Sequence, residues 1–165
     1  MNQLEATLDT KLADQRTLVS FELGEQAFCV DIMRVREIRG WSGATPLPSA
    51  PGYVRGVINL RGVILPVIDL GARIGLKPVE TSVRSVVIVV EFNDRLVGLL
   101  VDGVSGIAAV ARAEIQPPPD IVCDVRSSVV CGMFLRDGRM FSEIALEHVA
   151  PDAAELARSA EAVAA

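Results

Sequence analysis

Apolar and polar residues alternate along four pairs of segments, a pattern that predicts β-hairpins. In chain order the pairs are residues 18–30, 54–70, 84–102 and 128–144. Each pair is interrupted by residues that favour tight turns, namely Gly24-Glu25, the run from Asn59 to Gly62, Asn93-Asp94 and Asp137-Gly138. The chain is therefore predicted to be mainly β.

The segments between the hairpins predict short helices and loops. Asp31 is placed to cap a short helix that runs through Met33, Val35 and Ile38. Residues 40–53 contain three prolines and three glycines, which predicts an irregular loop. Pro66 lacks a backbone N–H, so its strand is expected at a sheet edge or a bulge.

Both ends of the chain read as helical tails rather than parts of the β domain. Leu4, Leu8 and Leu12 recur every four residues, which predicts a short N-terminal helix within a tail of residues 1–16. The alanine-rich stretch from residue 145 predicts a helix that Pro151 interrupts, so residues 151–165 are expected to form a C-terminal helical tail.

An internal repeat organises the region between the tails. Residues 54–70 align without gaps on residues 130–146, and each copy follows a hairpin that ends in Val-Asp. The repeat predicts two five-stranded barrels in tandem within residues 17–150, the first at about 17–80 and the second at about 81–150, with some strand exchange possible. Closing each short sheet on itself removes exposed edges.

Composition narrows the possible partners and location. The net charge of -5 argues against a phosphate-binding surface and hence against nucleic acid. Three cysteines without a Cys-x-x-Cys pair indicate reduced thiols, and the N-terminus lacks the basic start and apolar stretch of a signal peptide. No apolar run is long enough to span a bilayer. The sequence predicts a cytoplasmic protein with no metal and no cofactor.

The sequence lacks the residue motifs that are typical of enzyme active sites. His148 is the single histidine and lies near the C-terminus, and the segment Gly103-Val104-Ser105-Gly106 lacks the spacing of a nucleophile elbow and reads as a turn. Asp69 and Asp102 follow strands, where aspartate usually caps the next turn or helix. The chain is expected not to be an enzyme, although a small barrel that binds an apolar ligand or catalyses a reaction is kept as an alternative.

Two charged residues within apolar runs suggest a recognition surface. Arg61 lies in the turn after Leu60, and Glu37 lies within Val35-Arg36-Glu37-Ile38. Their opposite charges allow an ion pair. It is either an ordinary surface ion pair or part of a recognition surface that sets the register and orientation of a partner.

These segments resemble a known family. The runs VDIMRVREIRG, TPLPSAPGYVRGVINLRGVILPVIDL and VGLLVDGVSG, followed by the proline-rich connector at residues 116–120, are similar to CheW, the chemotaxis coupling protein family. The resemblance extends from about Thr17 to about Val149. It implies two SH3-like five-stranded β-barrels and a scaffold that binds the cytoplasmic tip of methyl-accepting chemoreceptors and the regulatory domain of the histidine kinase CheA.

The resemblance also implies roles for individual residues. Val35, Glu37 and Arg61 match positions tied to receptor binding. The residues assigned to kinase or other partner binding are Gly56, Asn59 and Leu60. Membrane association is expected only indirectly, through the receptors. A coupling protein of a non-flagellar pathway, controlling surface motility or second-messenger synthesis, is the alternative within the same family.

Overall fold

The computed structural model describes residues 14–119 and 129–149, and these contain ten β-strands. The strands are β1 (Gln15–Leu23), β2 (Gln26–Asp31), β3 (Val35–Gly40), β4 (Val54–Leu60), β5 (Val63–Asp69), β6 (Val86–Phe92), β7 (Arg95–Val101), β8 (Gly103–Ala111), β9 (Val130–Arg136) and β10 (Arg139–Ile144). Two one-turn helices follow hairpins, α1 (Leu70–Arg73) and α2 (Leu146–Val149). The four predicted hairpins and the mainly β class are confirmed.

The strands form two five-stranded sheets that exchange segments of the chain. One sheet has the order β8-β1-β2-β10-β9, and the other has the order β3-β6-β7-β5-β4. We call the corresponding SH3-like units the outer barrel, which joins the first two strands to the last three, and the central barrel, which contains β3 to β7. A boundary near residue 80 therefore does not separate the sheets, because β1 and β2 join strands of the second half in the outer barrel, and β6 and β7 join strands of the first half in the central barrel.

The predicted repeat is visible in the pairing registers. In the central barrel a bulge separates the pairs Val54↔Ile68 and Gly56↔Val67. In the outer barrel a bulge separates Val130↔Ile144 from Gly132↔Glu143, at the positions that the sequence alignment makes equivalent. Each hairpin then ends in a one-turn helix, α1 or α2. The two barrels thus have the same order and pairing of strands.

Two expectations about local structure are wrong. Asp31 does cap a helical turn, accepting a hydrogen bond from Met33 N–H, but the turn ends at Arg34. The chain continues as β3, which pairs with β6, so Val35 and Ile38 lie in a strand rather than a helix. Residues 103–106 are not a turn, because they begin strand β8 beside β1.

Pro66 lies in an internal strand, contrary to expectation. Its partner Val57 uses both its backbone N–H and C=O to bond Thr45, on the side away from β5. In an antiparallel ladder, two paired residues either bond each other or both direct their backbone groups outward, so Pro66 is not required to donate a hydrogen bond to Val57. Pairing of β5 with β7 begins only at Val67, so no ladder donor is required of Pro66.

The main hydrophobic core joins the two barrels. One cluster of buried side chains includes Phe21 and Phe28 of the outer barrel together with Leu65, Ile88 and Leu99 of the central barrel. A smaller cluster around Leu18, Val110 and Phe134 fills the outer barrel. Because the shared core is continuous, the exposed strands and turns of both barrels are held on one support.

The tails lie largely outside the described residues. This applies to the predicted N-terminal helix at Leu4, Leu8 and Leu12 and to residues 151–165. Within the described part of the predicted C-terminal helix, residues 146–149 form α2, and Arg73 donates to the carbonyl oxygens of His148 and Val149. The first turn of that helix is therefore attached to the end of the central barrel.

Candidate functional site

The turn between β4 and β5 presents Arg61 to solvent. Arg61 and Gly62 both have positive φ, 50° and 89°, which is the pattern of a type I′ turn. The Asn59 side-chain oxygen accepts a hydrogen bond from Gly62 N–H at 2.8 Å. Arginine is uncommon in the left-handed region, where asparagine and glycine predominate. An arginine at this position is consistent with a role for its side chain outside the turn.

Glu37 on β3 holds two guanidinium groups. Its carboxylate lies 2.9 Å from Arg61 Nη2 and 3.5 Å from Arg39 Nε. The Glu37 side chain is 22% exposed and that of Arg61 79% exposed, so the carboxylate is the fixed partner and Arg61 the accessible one. The predicted Glu37–Arg61 ion pair is confirmed, whereas the participation of Arg39 was not foreseen.

Exposed apolar side chains flank this ion pair. Val35 is only partly exposed and packs against the main core. The apolar groups that reach solvent near Arg61 are Val63 and Ile64 beside the turn, with 49% and 71% exposure; Ile38, 42% exposed, lies on the opposite face of β3 from Glu37. Exposed apolar side chains near a charge pair are typical of a recognition surface. We call Val35, Glu37, Arg61 and Ile64 the contact surface.

Gly56 and Leu60 support this surface from below. Leu60 is 7% exposed and belongs to the core. Gly56 is buried with a φ of +143°, and a Cβ atom there would lie 2.2 Å from the Thr45 carbonyl oxygen. Both residues place little or no side chain within reach of a partner, which favours a positioning role, and their assignment to partner binding stays a prediction. Asn59, by contrast, is exposed.

An open cleft adjoins the contact surface where the central barrel's edge strands β3 and β4 approach each other. We call it the seam cleft; its volume is about 450 Å³. It is lined by Arg39, Gly40, Trp41, Ser42, Gly43, Ala44, Thr45, Val57, Ile58, Asn59 and Val87. The loop after β3 closes one end, because Trp41 N–H bonds Ser85 and Thr45 bonds Val57.

Metal-binding side chains do not converge within residues 14–119 and 129–149. No three His, Cys, Asp or Glu side chains in these ranges could hold a metal ion. Asp69 caps α1, as its sequence position predicts, whereas Asp102 precedes strand β8 and instead accepts a hydrogen bond from Gly24 N–H in the distant β1–β2 turn. Buried apolar side chains fill the interiors of both barrels within the described residues.

Two thiols lie beside a carboxylate in the outer barrel. Burial, followed by the charge of Glu143, raises the pKa of Cys29 and that of Cys131 to about 12. Both are free thiols, as the sequence indicated, while Cys123 lies outside the described residues. Because the thiolate is the reactive form, neither group is poised as a nucleophile.

No helix in the described part of the chain is long and apolar enough to cross a membrane.

The comparisons with known proteins agree on one family. The model of the CheW-like domain matches residues 17–154. A chemotaxis protein CheW of Rhizobium meliloti is 52% identical over 136 residues, covering 82% of this chain and 88% of the relative.

More distant relatives are similar over nearly the same region. A chemotaxis protein CheW of Klebsiella aerogenes is 35% identical over 127 residues, covering 77% of this chain and 76% of that protein. The crystal structure of the scaffolding protein TtCheW from Thermoanaerobacter tengcongensis superposes with a TM-score of 0.74 at 34% identity. It covers 79% of this chain and 88% of that one.

Proposed function

Since the chain belongs to the CheW family, we propose that it is a chemotaxis coupling adaptor that holds chemoreceptors and the histidine kinase CheA together and catalyses no reaction itself. The observation that carries the proposal is the CheW-like domain over residues 17–154, with the contact surface on the central barrel within it. An adaptor that binds two partners raises the local concentration of one near the other and fixes their orientation.

We assign the contact surface to the cytoplasmic tip of a methyl-accepting receptor. Supporting this assignment, an accessible guanidinium pairs with a largely buried carboxylate, and the exposed Ile64 follows the same turn. Charges at the rim of an interface steer the partner and set its register, while apolar groups supply burial. We expect modest affinity, roughly micromolar or about 8 kcal/mol, because components of an array must assemble and exchange.

The second partner in the proposal is the regulatory domain of CheA, and the site of action is the cytoplasm, with membrane association only through receptors. The alternative of a non-flagellar pathway is not favoured. The relatives matched over four-fifths and three-quarters of the chain are named chemotaxis proteins. Asn59 remains a candidate contact for either partner because it is exposed next to Arg61.

Kinase assays with reconstituted components test the adaptor role. CheA autophosphorylation is measured with receptor-containing membranes in the presence and absence of this protein. Strong receptor-dependent stimulation only when the protein is added is the expected result. A folded protein that gives no stimulation with cognate receptor and kinase contradicts the proposal.

Replacing Arg61 with asparagine is expected to weaken binding of a receptor fragment about 5- to 10-fold while leaving the fold intact. Asparagine accepts the left-handed backbone of the turn, so the loss is confined to the guanidinium group. Arg61→Glu should weaken binding further, because it places two carboxylates together at Glu37. Titration calorimetry gives the affinities.

Arg95 provides a matched control, because it starts β7 beside the Asn93-Asp94 turn of another hairpin. Arg95→Asn should bind the receptor fragment like the unmodified protein. Equal affinities for the Arg61 and Arg95 variants, each with an unchanged melting temperature, contradict the assignment of the contact surface.

A further inference from the structure

The seam cleft contains a single charged group. Among its eleven lining residues, Arg39 is the one that ionises. Its guanidinium shares the Glu37 carboxylate with Arg61, and its own contact is the longer of the two, 3.5 Å against 2.9 Å. Two guanidinium groups on one carboxylate leave an excess positive charge. The Arg39 side chain is 43% exposed, so its remaining N–H donors are accessible from solvent.

The edge of β4 adds backbone hydrogen-bonding groups to this cleft. Val57 directs its N–H and C=O away from β5, where both bond Thr45. Backbone direction alternates along a strand, so Asn59, two residues on, presents its N–H and C=O on the same side. Asn59 is exposed, and its side-chain oxygen is already used by Gly62 N–H. Among the described residues, the backbone bonds across this edge join Val57 to Thr45 and do not involve Asn59, so the Asn59 N–H is available as a donor at the cleft.

The edge of β3 is oriented in a similar way. Trp41 N–H bonds Ser85, which makes Trp41 and Ser85 a hydrogen-bonded pair at the end of the β3–β6 ladder. The neighbouring residue, Gly40, then directs its backbone groups away from β6. Gly40 has open space where a Cβ would be. The cleft thus combines one cation, hydroxyl groups and outward-facing backbone amides.

This set of groups matches a carboxylate better than other side chains. A carboxylate accepts bonds from a guanidinium and from backbone N–H groups, and both kinds of donor are present without a competing acid inside the cleft. A basic side chain would be repelled by Arg39 and Arg61, and a purely apolar one would desolvate the Arg39 guanidinium without offering it an acceptor. The cleft's position beside Glu37 and Arg61 makes it continuous with the contact surface.

We propose that the seam cleft receives an Asp or Glu side chain of the receptor that docks on the contact surface, and that Arg39 is the residue that selects it. The proposal rests on the proposed function, because it names the chemistry that the same partner supplies. A receptor with a neutral residue at that position would bind this protein less tightly, so Arg39 sets specificity among receptors.

Trp41 makes occupancy of the cleft observable. It is the single tryptophan of the chain and lines the cleft next to Arg39. The side chain is partly exposed and packs against the main core. Its fluorescence therefore reports the polarity of one wall. A receptor fragment without tryptophan can be titrated into the protein with this emission as the signal.

The decisive experiment compares the unmodified protein with Arg39→Gln and Arg39→Lys. We expect Arg39→Gln to weaken binding about fivefold and to remove most of the Trp41 emission change, and Arg39→Lys to restore part of both. Each Asp and Glu at the receptor tip is then neutralised in turn. One of these receptor variants should weaken binding to the unmodified protein but not to Arg39→Gln, the signature of direct coupling.

Failure of this inference is distinguishable from failure of the proposed function. If the receptor fragment does not bind the unmodified protein, the adaptor assignment fails. The cleft assignment fails, while the adaptor function stands, if the fragment binds the unmodified and Arg39→Gln proteins equally. It also fails if neutralising each receptor carboxylate changes the binding free energy by the same amount in both proteins. A melting temperature common to all variants excludes unfolding as the cause.

Discussion

Asp69→Ala is expected to lower the free energy of unfolding by about 3–4 kcal/mol, because one buried carboxylate connects three parts of the central barrel. Asp69 is 2% exposed. It caps α1 through Ala72 N–H at 3.0 Å, and it accepts Val79 N–H at 3.1 and 3.0 Å on its two oxygens. It also pairs with Arg55, whose Nε and Nη2 lie 3.0 and 2.9 Å away.

Alanine removes the acceptor of the Ala72 and Val79 N–H groups and one of the acceptors of Arg55. Val79 N–H is buried, so water does not replace the lost acceptor, and an unsatisfied buried donor costs about 1–3 kcal/mol. Arg55 retains the Val79 carbonyl oxygen as its acceptor but loses its counter-charge. Loss of the helix cap contributes about 1 kcal/mol more. The chain from Ile74 to Val79, which covers the base of the barrel, should loosen.

Urea unfolding followed by circular dichroism measures this change. Glu114→Ala is the control, because Glu114 forms an exposed ion pair with Arg136 at 3.2 Å and its removal should cost less than about 1 kcal/mol. If Asp69→Ala proves no less stable than Glu114→Ala, the hydrogen bonds that Asp69 accepts from α1 and from Val79 do not hold the barrel together.

The hairpins could be predicted from the sequence because their signals are local. Alternation of apolar residues and turns such as Asp137-Gly138 act within a few residues. Strand β8 was missed because its residues 103–111 are mostly glycine and alanine with few large side chains. The exchange of strands between the barrels was not determined by any local pattern. It depends on which hairpins pack side by side, a property of the tertiary fold.

The ion pair of the candidate site was predictable from opposite charges, but its third member was not. The spacing of Val35 and Ile38 was interpreted as a helix, in which residues 37 and 39 lie on different faces. In strand β3, residues two apart share a face, so Arg39 reaches Glu37. Gly56 is assigned to partner binding by the resemblance alone, and a sequence motif does not distinguish a buried glycine from an exposed one.

Arg16→Met is expected to cost about 3–5 kcal/mol, because it leaves the charge of Glu143 buried and uncompensated. The Glu143 side chain is 7% exposed, and Arg16 Nη1 lies 2.7 Å from Oε1 and 2.6 Å from Oε2. Arg16 Nη2 also bonds Asp31 at 2.9 Å, so the guanidinium joins β1, β2 and β10. The hydrogen bond to Glu143 raises the pKa of Arg16 although burial opposes the shift.

The thiol of Cys131 cannot replace this guanidinium. Its sulfur lies 3.4 Å from Glu143 Oε1, and a neutral thiol is a weak donor without charge. Adding Glu143→Gln to Arg16→Met should therefore regain part of the lost stability, because the buried charge disappears together with its partner. Arg139→Met is the matched control, since Arg139 forms an exposed pair with Glu22 at 3.1 Å. Its cost should stay below about 1 kcal/mol.

Acid unfolding gives an independent test of the same cluster. Burial tends to raise the pKa of Asp31, but the Met33 N–H and Arg16 outweigh it, so the pKa lies below its ordinary value of 3.8. A carboxylate with a lowered folded-state pKa stabilises the fold above its unfolded pKa and loses that contribution as the pH falls through the folded value. Arg16→Met should thus lose less additional stability than the unmodified protein on acidification below about pH 4. An identical pH dependence in both proteins, measured by urea unfolding between pH 2 and 7, contradicts the coupling of Arg16 to Asp31.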